Sequence, residues 1–108
     1  MKKLGFGLMR LPVIDGKPDN IDLNTLSQMV DLYLERGFTY FDTSYVYHNG
    51  ASETAIREAL VKRHDRKEFL LASKFPTFIR PAEEQVENIF QEQLDKCGVE
   101  YFDYYLLH

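Results

Sequence analysis

The sequence predicts an α/β fold with the element order βαβαβαβ. Three observations carry that prediction. Short apolar runs rich in aromatic and β-branched residues alternate with segments whose apolar residues recur at helical spacing. Gly, Pro, Asp and Asn punctuate the boundaries between them. The unit repeats at about 30 residues, the length of a strand, a crossover helix and the return to the next strand. Strands that alternate with helices imply right-handed crossovers and a parallel sheet.

The elements follow in order. KLGFGLMRL (3–11) is short and apolar and fits a first strand. VIDGKPDNID is loop by composition. Residues 23–36 place Leu26, Met29, Val30, Tyr33 and Leu34 on one helical stripe, and Gly37 stands where a helix ends. FTYFD (38–42) reads as a second strand. Ser52 is positioned to cap a second helix with Ala55, Ile56, Ala59 and Leu60 facing inward. FLLASK (69–74) is an apolar run closed by a charge. Pro81 suits the first turn of a third helix, with Glu83 and Glu84 near its positive end. Val86, Ile89, Phe90, Leu94 and Cys97 form that helix's stripe, and Gly98 follows. YFDYYLLH (101–108) is the fourth strand. The strands are apolar almost throughout, as expected where both faces are covered. The unit fits both doubly wound sheets and (β/α)8 barrels. A barrel takes about 250 residues, so 108 residues with four strands amount to its first half.

Composition narrows the function. The chain is one domain by length, 44% hydrophobic and 28% charged, enough for a modest core. A net charge of -4 argues against nucleic acid or an anionic membrane surface as main partner. Lys62, Arg63, Arg66 and Lys67 cluster at a helix end and turn, where a solvated surface is expected. The single cysteine, Cys97, supports no intrachain disulfide and no zinc site by itself, and its place on an apolar stripe makes it a small buried hydrophobe. MKKLGFGLMRLP is no signal peptide, because Arg10 breaks its apolar run, and no window is long enough to span a membrane. A reducing cytoplasm is the expected location.

The chemistry gathers at the strand ends. The second strand ends in Asp42, the third in Lys74 and the fourth in His108, and Tyr47 follows Asp42 in the adjoining loop. In parallel α/β folds the C-terminal strand ends form the reactive face. Singly each residue has an ordinary explanation: a turn cap for Asp42, a half-buried aromatic for Tyr47, a snorkelling charge for Lys74. Jointly they describe an ion pair beside a phenol. A neighbouring positive charge favours phenolate, which makes a general acid of a tyrosine. His48 could equally be a solvated loop residue, and His64, in KRHDRK, belongs on the surface. His48, His108 and Asp42 lack metal-ligand spacing, so no metal is expected. Gly5-x-Gly7 lacks a third glycine and a helix directly after it, and is no dinucleotide fingerprint.

FDTSYVYHNGASE resembles the aldo-keto reductase signature: Asp-Thr at the end of the second strand, Tyr five residues after the Asp, then a Gly-x-x-Glu-like helix start. ASK resembles the family's third-strand Lys, and GVEYFDYYLLH its stretch closing on His. The resemblance spans nearly the whole chain and implies a (β/α)8 barrel, a nicotinamide cofactor (NADPH or NADH) and a small aldehyde or ketone as substrate. Tyr47 would protonate the developing alkoxide, Lys74 paired with Asp42 would activate Tyr47, and His108 would orient the carbonyl. Gly7, Leu8 and Met9, with Asp42, match the segment that approaches nicotinamide and ribose; Leu8 stands where the family often has Thr. GFGLMRLP and SYVYHNGASE are most similar to bacterial and archaeal members, some of which carry a C-terminal ferredoxin-like Fe–S extension; this chain holds no such segment. Family residues on strand five and in the loops after strands seven and eight, which hold most of the cofactor, are not among these 108. The expectation is therefore the N-terminal half of an oxidoreductase, inactive alone and self-associating through open sheet edges. Two alternatives stay open: a non-catalytic binding or regulatory module of the same fold, and Schiff-base chemistry at Lys74.

Overall fold

The structure, a computed structural model, describes residues 3–108. Met1 and Lys2, the first residues of MKKLGFGLMRLP, lie outside the described residues. Four strands, β1 (Gly5–Gly7), β2 (Tyr40–Asp42), β3 (Leu70–Phe75) and β4 (Tyr104–Leu107), form one parallel sheet in the order β1-β2-β3-β4. Three helices connect them: α1 (Leu23–Glu35), α2 (Ala51–Ile56), which runs on into a π-helical stretch at Arg57–Val61, and α3 (Val86–Cys97).

The strand order decides between the two candidate architectures. Each crossover steps one strand in the same direction, so right-handed connections put all three helices on one face of the sheet. A doubly wound sheet reverses direction and covers both faces. Here one face packs against helices and the other stays open, as the wall of a barrel would.

Side-chain alternation sorts the residues between the faces. Phe41, Leu71 and Ser73 point into the helical layer and are fully buried. Tyr40, Asp42, Leu70, Ala72, Lys74 and Tyr104 share the open face by register. Small Ala72 lets the rings of Tyr40 and Tyr104 meet across it, 5.8 Å apart. The helical layer is closed by Leu26 and Val30 of α1, Ile56, Ala59 and Leu60 of the second helix, and Cys97 of α3, all at 0% exposure. Phe6, Tyr33, Phe38 and Phe41 interlock beneath α1. Each fully buried aliphatic side chain contributes about 1.5–3 kcal/mol.

Turn chemistry follows the sequence in places and departs from it in others. Asp22 caps α1 through the Thr25 N–H, and Gly37 and Gly98 take the left-handed conformation that ends α1 and α3. The first strand is shorter than expected, Gly5–Gly7 rather than 3–11, because Leu8 turns inward while the chain leaves the sheet. Met29 and Val86 fall off their stripes at 40% and 38% exposure, each at the margin of its helix's buried face. Ser52 is not a cap: Gly50 precedes the helix, and the Ser52 hydroxyl is sealed inside. Pro81 stands before a separate 3-10 turn, Glu83–Gln85, rather than in α3 itself. β4 is exposed along its length, contrary to the expectation of two covered faces, because β3 alone flanks it.

Candidate active site at the strand ends

The open face ends in a group of charged and aromatic side chains. Lys74 is central. Its ammonium donates to Asp42 Oδ2 (2.8 Å), the Thr43 carbonyl (2.8 Å) and the Tyr47 hydroxyl (3.0 Å). An ammonium has three protons, so all of its donors are used. Burial works against the Lys74 charge, but the hydrogen bonds and charge of Asp42 and the contact with Tyr47 outweigh it and hold the amine above its ordinary range. The Tyr47 oxygen accepts from Lys74, which leaves its own proton free to be donated elsewhere. The same ammonium lies 4.6 Å from the Tyr47 ring centre.

His108 stands beside this group. Its ring meets Tyr47 edge-on at 5.9 Å and Phe78 at 5.2 Å. Its Nδ1 pairs with Ser44 Oγ (3.0 Å), and its backbone N–H donates to the Phe75 carbonyl. Asp42, Tyr47, Lys74 and His108 thus converge, drawn from two strand ends, one loop and the residue that follows β4.

The segment leaving β1 borders the cluster. Gly7 is in register with Asp42, and the Leu8 N–H donates to the Asp42 carbonyl (2.9 Å). Nothing lies within 4 Å of where a Gly7 side chain would begin, so the open face is clear there. The Leu8 side chain is buried in the core, so this residue offers the open face backbone only, and Met9 is half exposed. A flat ring could approach along Gly7 toward Lys74 and Tyr47. Among the described residues there is no cluster of metal-ligating side chains, and no helix is long and apolar enough to cross a membrane.

The loop that carries Tyr47 is unusual in its backbone. His48 (φ 56°) and Asn49 (φ 54°) precede Gly50 (φ 92°), three left-handed residues in succession. Non-glycine residues pay roughly 1–3 kcal/mol for such conformations. His48 is not a free loop residue: Nε2 accepts from the Leu11 N–H (2.9 Å), and Nδ1 lies 2.7 Å from the Pro18 carbonyl. His64 is less open than its charged neighbours imply, because Asp31 holds it at 2.8 Å.

A second polar cluster lies on the other side of β3. Glu53 Oε2 accepts from Ser73 Oγ (2.7 Å) and Gln93 Nε2 (3.1 Å), and Gln93 also donates to the Lys74 carbonyl (2.9 Å). Tyr105 donates to Gln93 Oε1. Glu53, Ser73 and Gln93 are all at 0% exposure. Glu53 Oε1 has no hydrogen-bond partner among the described residues; the Lys96 ammonium faces it at 3.5 Å. Burial pushes the Glu53 carboxyl up, against the opposing pull of Ser73, Lys96 and Gln93. Burial, with Glu53 nearby, pushes the Tyr105 phenol up to about 12. Sequence reasoning found neither this cluster nor the Thr43 and Ser44 contacts, because Ser, Thr and Gln at these positions carry no spacing signal. The Glu three residues after Gly50 was the one available hint.

Comparison with known proteins finds relatives across the whole chain. The profile of the aldo/keto reductase family matches residues 3–108. Aldo-keto reductase family 1 member C4 of Macaca fascicularis is 30% identical over 113 residues, covering all of this chain and 32% of that protein. An NAD(P)H-dependent D-xylose reductase of Pyricularia oryzae is 31% identical, covering all of this chain and 31% of its own length. The crystal structure of an aldo-keto reductase from Klebsiella pneumoniae in complex with NADPH superposes with a TM-score of 0.77 at 21% identity, over 96% of this chain and 34% of that one. That last likeness concerns the fold alone. The chain spans about a third of the length of the curated relatives it matches.

Proposed function

From the premise that the chain belongs to the aldo/keto reductase family, we propose that it carries the proton-transfer half of an NAD(P)H-dependent reductase that converts an aldehyde or ketone to an alcohol. The observation that carries this reading is the Lys74 ammonium held between Asp42 and the Tyr47 oxygen. When bound, the reduced nicotinamide supplies the hydride. Tyr47 donates its phenolic proton to the carbonyl oxygen as negative charge develops there. Lys74 faces the oxygen that the proton leaves and stabilises the charge remaining on it. Asp42 keeps that ammonium charged and fixed. His108, turned toward Tyr47 and steadied by Ser44, orients the carbonyl. Gly7, Leu8, Met9 and Asp42 would hold the nicotinamide and ribose; the open space at Gly7 supports this assignment.

Residues 1–108 are, on this reading, the N-terminal half of a barrel, and alone they bind cofactor weakly and do not turn over. The unpaired edges of β1 and β4 favour self-association of the isolated chain; a monomer in concentrated solution by light scattering argues against it. The test of function is NADPH consumption with a reactive aldehyde by a full-length protein that contains this chain. Reduction lost in Tyr47→Phe supports the reading; cofactor binding without turnover favours a regulatory module. Clear turnover by the 108 residues alone would refute the inactivity of the half.

A further inference from the structure

We propose that His48 is a positioning residue for Tyr47, locking the loop that bears the phenol onto the segment that leaves β1. The inference rests on the reading of Tyr47 as proton donor. Its chemistry is fixed by the two partners. The Pro18 carbonyl only accepts, so Nδ1 carries a proton and donates to it. The Leu11 N–H only donates, so Nε2 is unprotonated and accepts. His48 is therefore neutral and in the Nδ1–H tautomer, with both ring nitrogens engaged by backbone 30 and 37 residues away.

A second fastening lies at the other end of the loop. Ser52 Oγ donates to the Leu8 carbonyl (3.3 Å) and pairs with Thr43 Oγ1 (2.7 Å), and both side chains are fully buried. Residues 43–52 are thus tied to residues 8–11 twice. Tyr47 directly precedes the first of these ties and the left-handed residues His48 and Asn49. A turn of that kind persists where its surroundings over-determine it. Within the turn the Tyr47 carbonyl accepts from the Ala51 N–H, but the Tyr47 N–H reaches the Ser44 carbonyl only at 3.4 Å. His48 supplies the external hold, and so fixes the phenol against Lys74 and against the backbone beside Gly7.

The test compares His48→Asn with His48→Leu in the 108-residue chain. Asparagine keeps a donor and an acceptor on neighbouring atoms; leucine keeps bulk with neither. Proton exchange of the Lys74 ammonium, followed by NMR, reads the hydrogen-bonded cluster it forms with Tyr47, and exchange of the Leu70 amide, which donates to the Thr39 carbonyl, reports the pairing of β3 with the chain entering β2. His48→Leu is expected to speed ammonium exchange by ~10-fold or more, with His48→Asn within ~3-fold of the parent and Leu70 unchanged. Equal exchange in parent and His48→Leu, or His48→Asn matching His48→Leu, overturns the proposal. Should His48→Leu fail to fold, the tautomer of His48 in the unmutated chain decides by nitrogen NMR: Nδ1–H supports the lock, and Nε2–H overturns it. A full-length protein that reduces no aldehyde while Lys74 still responds to His48→Leu overturns the reductase reading alone.

Discussion

Ser73 and Lys74 are neighbours on β3, yet their side chains serve opposite surroundings. Ser73 points into the helical layer, where Glu53 and Gln93 seal it from water. Lys74 points to the open face, where Asp42 and Tyr47 hold it within reach of a ligand. Both groups bury charge against hydrogen-bond donors or acceptors. They differ in what is left over. On the open side the Lys74 donors are all used, but the Tyr47 proton and one edge of His108 remain available. On the sealed side the leftover is a carboxylate oxygen that, among the described residues, has the Lys96 ammonium before it and no hydrogen-bond partner. In the proposed function the first leftover acts on the substrate; the second braces the strand that presents Lys74. Gln93 joins the two, because its amide reaches both Glu53 and the Lys74 carbonyl.

The largest expected effect belongs to the open side. Tyr47→Phe in a full-length protein containing this chain is expected to lower kcat by ~10²–10⁴-fold, the usual worth of a general acid, with the unfolding midpoint unchanged. A kcat that stays near the parent value breaks the comparison, since the open cluster would then not be the proton source. The sealed side should answer in stability instead. Glu53→Ala leaves the buried Ser73 hydroxyl without its acceptor and the Lys96 ammonium without its carboxylate, while Gln93 keeps its other bonds, and is expected to cost about 3 kcal/mol in urea unfolding of the 108-residue chain. A cost below about 1 kcal/mol would show that this cluster does not brace β3.

A pH series separates the two sides further. Because burial raises the folded Glu53 carboxyl above its ordinary 4.5, the native chain binds more protons than the unfolded one once pH exceeds that value. The parent therefore loses stability as pH rises through the folded value, and Glu53→Gln does not. Urea midpoints of the two should draw apart from about pH 4 upward, with the variant gaining relative to the parent; parallel curves would mean that Glu53 titrates as if exposed. Ser73→Ala is the mildest probe, removing one of the bonds to Glu53, and is expected to cost about 1 kcal/mol with kcat little changed.

Much of this architecture was legible beforehand. Alternation of apolar runs with helix-period stripes reflects burial, and burial leaves a strong mark on residue type. Ala55, Ile56, Ala59 and Leu60 were read as one inward face and lie there. The charged residues closing three apolar strands were equally visible, since a lone charge after such a run is conspicuous. The contacts of Ser52 and His48 escape a reading of the sequence, for one reason. Each looked local, a cap and a loop residue, while its partners sit 44, 30 and 37 residues away. A polar side chain of ordinary size gives no sign of a distant backbone partner.

The sequence by itself determined the element order, the helical faces and the residue types at the strand ends, because hydrophobic period and turn chemistry are local. It left open whether the sheet was singly or doubly wound, since the same βα units build both. Only the tertiary structure decided that, through a strand order that never reverses and keeps all helices on one face. It also decided that the Lys74 ammonium is fully engaged, that Leu8 meets the open face through backbone alone, and that β4 is exposed. Those facts depend on distances between segments far apart in the chain, which packing fixes and local pattern does not encode.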